Sequence, residues 1–256
     1  MKFGKQVGIG LFLLGLVTLP SGRVAAESNE GHDLMKRVLD AAPKAPFKAH
    51  GKITSDRGWD REVTLIRANQ EGMEKIYLEV TSPTDLKDTR FLLLDRLEGA
   101  DEQYMFVPQL KRSIQLNMET RKQDFLGTDF AVADLVRPEL EAFNYTVVGE
   151  ETLDGRPCKL VQAVPKNPAE QMYSKTVTAI DPKDNVIIRT LMFDDKGAPL
   201  KTWTIDKYDK VDGNLTPVVQ RMVNVRNGHW SKIEMVDMQY NAQLPAEVFN
   251  KSYLIR

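Results

Sequence analysis

The chain contains a single cysteine, Cys158, among 256 residues. One thiol cannot close an internal disulfide, so a fold in an oxidising compartment must rest on its hydrophobic core. Histidine is nearly as scarce: His32, His50 and His229 are dispersed, with no partner at ligand spacing, which argues against a zinc centre. Glycine-rich phosphate loops of the G-x-x-x-x-G-K-[ST] type and G-x-S-x-G nucleophile elbows are missing. No apolar run reaches membrane-spanning length; the longest, Val7 to Leu19, has 13 residues, whereas a helix crossing a hydrocarbon core needs about 20.

That run follows Lys2 and Lys5 and precedes the small-residue site Val24-Ala25-Ala26, the pattern of a secretory signal peptide over residues 1–26. No cysteine lies near the cleavage site, so no lipid anchor is expected there. Residues 27–256 are then one β-rich domain, long enough to bury a sizeable core. Without Lys2, Lys5 and Arg23, 32 basic residues face 36 acids. A net charge of −4 does not favour nucleic acid, which wants clustered positive charge.

Leu34, Met35, Val38, Leu39 and Ala42 recur at helical spacing and predict an amphipathic helix that Pro43 ends. Strand-like runs follow over 47–55, 61–67, 74–81, 91–94, 103–107 and 111–116, with Ile76, Leu78 and Val80 alternating against Lys75, Tyr77 and Glu79. A second series runs over 145–150, 158–164, 174–180, 186–193, 199–208, 217–226 and 230–240. Short turns such as Asp154-Gly155, Asp212-Gly213 and Asn227-Gly228 join them. The fold class expected is mainly β with a few helices: a curled antiparallel sheet forming an open half-barrel, with helices on its concave face.

Between the two series lies Gln123 to Pro138, QDFLGTDFAVADLVRP. Phe130, Ala133, Leu135 and Val136 predict a short apolar helix capped by Thr128 or Asp129 and stopped by Pro138, with Gly127 as the hinge before it. It is either a plug lying on the sheet or an ordinary connection. Asp129 reads as a helix cap rather than a general base, and Cys158, beside Leu160, as a small core residue. What remains is an excess of apolar side chains: Ile76, Leu78, Val80, Phe91, Leu93, Tyr104, Phe106, Val177, Ile188, Met192, Trp203 and Met222 are candidates for one continuous surface. They either pack as core or line an apolar cavity that accepts acyl chains; periodicity does not separate the two.

Phe125 to Leu135, FLGTDFAVADL, resembles the [FM]-[ML]-G-[ST]-D-F-x-x-x-D-[LM] signature of the periplasmic outer-membrane lipoprotein-sorting proteins related to LolA, in the branch associated with RND or MMPL-type exporters. Ser82-Pro83 before Lys87 to Leu92 is similar to the family's SP-x-D-x-K-G-T-x-F-L segment, with Asp88 in place of glycine. Tyr104-Met105-Phe106-Val107-Pro108 is similar to its W-x-Y-x-P segment, with Tyr104 in place of tryptophan. Asp154 to Cys158, Ile180-Asp181-Pro182 and Tyr240-Asn241 to Phe249 also match.

The resemblance implies a periplasmic, non-enzymatic carrier without cofactor or catalytic residues, in transient contact with membranes. Its ligand is a lipid or the acyl chains of a lipoprotein. The residues that would line the cavity or form the lid are Phe130, Leu135, Ile76, Leu78, Val80, Phe91, Leu93, Tyr104, Phe106, Trp203, Met192 and Met222. The other reading is a ligand-sensing adaptor partnering an inner-membrane RND or MMPL-type exporter.

Overall fold

The computed structural model describes residues 22–70, 73–95 and 102–256, with side chains from residue 29 onward except at 246. The expected signal peptide lies mostly outside these residues. Helix α1 spans Gly22–Ala41, so its first turn overlaps the end of that segment.

Among the described residues, thirteen strands form one antiparallel sheet. The first meander comprises β1 (Phe47–Ser55), β2 (Asp60–Gln70), β3 (Met73–Ser82), β4 (Arg90–Asp95), β5 (Glu102–Val107) and β6 (Arg112–Gln115). The second comprises β7 (Phe143–Leu153), β8 (Arg156–Pro165), β9 (Lys175–Asp181), β10 (Val186–Phe193), β11 (Pro199–Val211), β12 (Asn214–Asn224) and β13 (Trp230–Tyr240). Pairing of β1 with β13, with Ile53 opposite Ile233 and Ser55 opposite Ser231, joins the two meanders at the middle of the sheet. The edges, β6 and β7, do not pair, so the sheet is an open half-barrel.

The strands follow from sequence alternation closed by turn chemistry. Phe47, Ala49, Gly51, Ile53 and Ser55 are the buried residues of β1, while those between them face outward or lie half-buried. Asp154-Gly155 and Asp212-Gly213 both take positive φ at their two central residues, as two-residue hairpins between right-twisted strands require. Asp88, which stands where the sorting-protein pattern has glycine, has φ +64°, the left-handed conformation that makes glycine the usual choice.

The pleat separates two apolar surfaces. Register places Ile53, Val63, Ile76, Leu78, Val80, Phe91, Leu93, Met192, Met222 and Ile233 in one cluster on the inner face. The outer face of the first meander carries Ile66, Tyr77, Leu92, Tyr104 and Phe106, covered by Val248, Phe249 and Leu254 of the C-terminal turns. Helix α1 lays Leu34, Met35 and Val38 on Tyr145, Val161, Ala163 and Ile180 of the second meander. Gly31 lets it lie close, since a Cβ there would stand 3.0 Å from the Thr146 backbone nitrogen.

The connection between the two edge strands, residues 116–142, must travel from one side of the open half-barrel to the other. It does so across the inner face. The expected helix over 123–138 does not form there. A single turn, α2 (Met118–Arg121), is followed by 3-10 turns at Phe125–Gly127 and Val132–Leu135. Leu126 and Gly127 both have positive φ, which no helix accommodates. The chain instead folds back on itself: Phe125 N–H donates to Phe130 O at 2.8 Å, Val132 N–H donates to Gln123 O at 3.2 Å, and Asp124 bridges Ala131 in antiparallel sense. The helical spacing of the apolar residues was a coincidence of a compact loop.

Candidate functional site: an occluded apolar face

The 116–136 loop buries Leu116, Phe125, Phe130 and Val132 in the inner-face cluster, with Leu126, Leu135 and Val136 partly buried at its margin. Phe125 meets Phe91 edge to face, ring centroids 5.2 Å apart. Ten of the twelve residues expected to line or close a cavity come together here: Phe130, Leu135, Ile76, Leu78, Val80, Phe91, Leu93, Met192, Trp203 and Met222. Tyr104 and Phe106 do not. They alternate with Gln103 and Met105 along β5 and point to the outer face, where the C-terminal segment covers them. The register of β5 on β4 sets Tyr104 opposite Leu92 and Met105 opposite Phe91, which turns Tyr104 and Phe106 to the outer face, so the expectation of one continuous surface fails at β5. Val177 and Ile188 also lie outside the cluster.

Two aspartates tie the loop to the sheet. Asp129 was expected to cap a helix, and instead its buried carboxylate reaches across to the β1–β2 turn and β13. Arg57 Nη2 donates to Asp129 Oδ2 at 3.0 Å and to the carbonyl of Gly127 at 3.0 Å. The Ser231 hydroxyl donates to Asp129 Oδ2 at 2.6 Å and accepts the Asp129 N–H at 3.0 Å. Thr128 makes a local bond of its own: its hydroxyl oxygen accepts the Phe130 N–H at 3.1 Å. Gly127 itself, with φ +73°, is exposed, and a Cβ there would meet nothing within 4 Å. Its glycine is needed for the backbone angle alone.

The second tether is Asp134. Oδ2 accepts the Ala131 N–H at 2.8 Å, Oδ1 accepts the Tyr173 hydroxyl at 2.8 Å, and Lys201 Nζ stands 3.7 Å from Oδ2. Both Lys201 and Asp134 side chains are only 6% exposed. Burial pushes the Asp134 carboxyl above the usual carboxylate range, with the Lys201 charge pulling against it. Burial beside that carboxylate also raises the Tyr173 phenol strongly. At 3.7 Å the lysine is an ion-pair partner rather than a hydrogen-bond donor, and its Nζ has no hydrogen-bond acceptor; neither has Trp203 Nε1, two residues along the same strand face.

Sequence reasoning passed over Arg57, Tyr173, Lys201 and Ser231. One signal was available for two of them. Lys201 shares its strand parity with Trp203 and Ile205, and Ser231 shares its own with Ile233 and Met235, so each is a polar residue on an apolar face. Cys158 is buried and its thiol is pushed up by burial and by Asp181. The histidines remain apart, His32 against Glu141 at 3.0 Å and His229 against Asp56 at 2.9 Å. Among the described residues no group of three His, Cys, Asp or Glu is placed to hold a metal ion, and no helix is long and apolar enough to cross a membrane.

An open half-barrel whose inner apolar face is occluded by its own edge-to-edge connection defines the class of the fold. A family model described as an uncharacterized protein matches residues 72–256, and the chain belongs to that family. The structure is similar to a DUF1329 family protein from Desulfovibrio piger, with TM-score 0.84 and 21% identity over 89% of this chain and 99% of that one. It is similar to an outer membrane lipoprotein-sorting protein domain from Vibrio parahaemolyticus, with TM-score 0.83 and 23% identity over 90% of this chain and 100% of that one. A LolA superfamily protein from Nitrosomonas europaea gives TM-score 0.69 at 16% identity over 87% and 98% of the two chains. No curated protein matches the sequence.

Proposed function

We propose that the protein is a periplasmic, non-enzymatic carrier that takes up a lipid, or the acyl part of a lipoprotein, on the inner face of the half-barrel when the 116–136 loop withdraws. The observation that carries this reading is the loop itself. It has almost no regular structure, yet it covers the largest apolar cluster of the sheet through a few aromatic and aliphatic side chains. An acyl chain entering in place of Phe125, Phe130 and Val132 conserves most of the apolar burial, at about 25 cal/mol per Å², so exchange is not opposed by a large net change in exposed area. Leu126 and Gly127, both in the left-handed region, form the turn about which the loop re-folds. The shared fold with the Vibrio sorting domain and the Nitrosomonas LolA superfamily protein supports the same reading, as does the signal-peptide pattern over 1–26 for the compartment.

The test is native purification from periplasm, solvent extraction and mass spectrometry of bound lipid, with a denatured and refolded preparation as control, followed by titration of the refolded protein with a fluorescent fatty acid. Near-stoichiometric lipid, or saturable uptake that protects the loop from proteolysis less than in the empty form, is the expected result. An empty protein that takes up no fatty acid would show that the inner face is filled core. A stable stoichiometric complex with an inner-membrane exporter, without lipid transfer between vesicles, would replace the carrier by the adaptor reading.

A further inference from the structure

We infer that Lys201, Tyr173 and Trp203 form an anion subsite of the carrier, occupied at rest by the loop's own Asp134 and taken in the loaded state by the acidic head of the cargo. This rests on the carrier reading and names the cargo chemistry: an amphiphile with an acyl tail and a carboxylate or phosphate head. The argument turns on which side of the interface each group belongs to. Asp134 sits on the loop; Lys201 and Trp203 sit on β11, and Tyr173 on the segment leading into β9. When the loop withdraws, its carboxylate goes with it, and Lys201, 6% exposed beneath the closed loop, stays behind on an apolar face that the cargo then covers.

A buried lysine ammonium without a counterion is strongly unfavourable, so a cargo that brings its own anion is selected over one that does not. The donors are in surplus even at rest. Tyr173 hydrogen-bonds Asp134 Oδ1, but Lys201 Nζ is held off at 3.7 Å and Trp203 Nε1 is buried with no acceptor. An acid head free of the loop backbone does not have to accept the Ala131 N–H that now takes one lone pair of Asp134, and can turn toward both. The loop thus offers the sheet an internal imitation of the cargo, with Phe130 standing for tail and Asp134 for head.

The refolded full chain is titrated, below micelle concentrations and at mildly alkaline pH, with oleate, with lysophosphatidate carrying the same chain, and with oleyl alcohol. Both acids, or one of them, should bind about tenfold tighter than the alcohol, the worth of one charge-assisted contact; which acid is preferred identifies the head as carboxylate or phosphate. Lys201→Met should bring acid and alcohol to equal affinity, and its retained binding of the alcohol certifies that it is folded. Asp134→Asn, which loosens the resting loop without touching the sheet-side donors, should tighten all probes by one common factor and leave the acid-to-alcohol ratio unchanged. Equal binding of all three probes by the unmodified chain, or an acid preference that survives Lys201→Met, overturns the anion subsite while leaving the carrier reading intact. Binding of none overturns both.

Discussion

Replacing Asp129 by alanine separates a movable loop from a permanent part of the core. The substitution removes the 2.6 Å hydrogen bond from the Ser231 hydroxyl to a buried carboxylate and the 3.0 Å contact from Arg57. The first is a charged hydrogen bond, worth about 1.5–3 kcal/mol. Arg57 is about one-third exposed and can turn to water, so its ion pair adds only about 0.5–1 kcal/mol. Ser231 keeps the Asp129 N–H as a donor, so no buried hydroxyl is left without a partner. The closed loop should therefore lose about 3 kcal/mol.

Apparent ligand affinity is the intrinsic affinity reduced by the fraction of molecules with the loop withdrawn. Three kcal/mol then corresponds to about a 100-fold tighter apparent Kd for a fluorescent fatty acid, provided the closed form still dominates. Asp129 lies on the loop, against the β1–β2 turn and β13, and lines none of the sheet surface that ligand would touch, so the intrinsic affinity does not change. Thermal unfolding of the empty protein should fall at the same time, and saturating ligand should remove most of the difference between the two proteins. A variant that melts lower but binds fatty acid no more tightly would refute the reasoning: the loop would then be a fixed wall, and Asp129 merely one of its supports.

Gly127→Ala meets no clash and is strained only through its φ of +73°, so it should cost about 1 kcal/mol and lower Tm by about 2–4 °C, whereas Gly127→Pro, which forces φ near −65°, should unseat the loop tip and raise its protease sensitivity. Phe106→Ala should destabilise by about 3–5 kcal/mol through the outer cluster with Val248, Phe249 and Leu254, and leave fatty-acid affinity unchanged in the folded fraction; altered affinity would mean that the two faces communicate. Asp134 supplies a pH dependence. Its pKa is raised from 3.8 in the closed form, so the closed form binds the extra proton. Its contribution is fully present below 3.8 and is lost as pH rises through the raised value, so the closed loop weakens upward across that window. Lys201 and Tyr173 face the same carboxyl, and Asp124 acts on Tyr173. Asp134→Asn should flatten that limb of a Tm-versus-pH profile; an unchanged slope would assign the proton elsewhere.

Strand content was legible because it is local. Alternation fixes which residues of β1, β3 or β13 share a face, and Asp154-Gly155, Asp212-Gly213 and Gly228 fix where the chain reverses, so all thirteen strands were foreseen to within a few residues. Parity puts Tyr104 and Phe106 on one face of β5, but which face is set by its register on β4, where Tyr104 stands opposite Leu92 and Met105 opposite Phe91; alternation within one strand does not carry that information. Helix α1 was likewise visible in its spacing.

The central segment was not legible in the same way. Its apolar residues fit a helical period, but its conformation is decided by contacts more than a hundred residues away, such as Ser231 with Asp129, and by the need to cross from edge strand to edge strand. The sequence by itself determined the strands, their turns and the two motif aspartates. Only the tertiary structure decided that those aspartates hold a folded-back loop against an apolar sheet, because hydrogen bonds and ion pairs between distant segments leave no period in the chain that makes them.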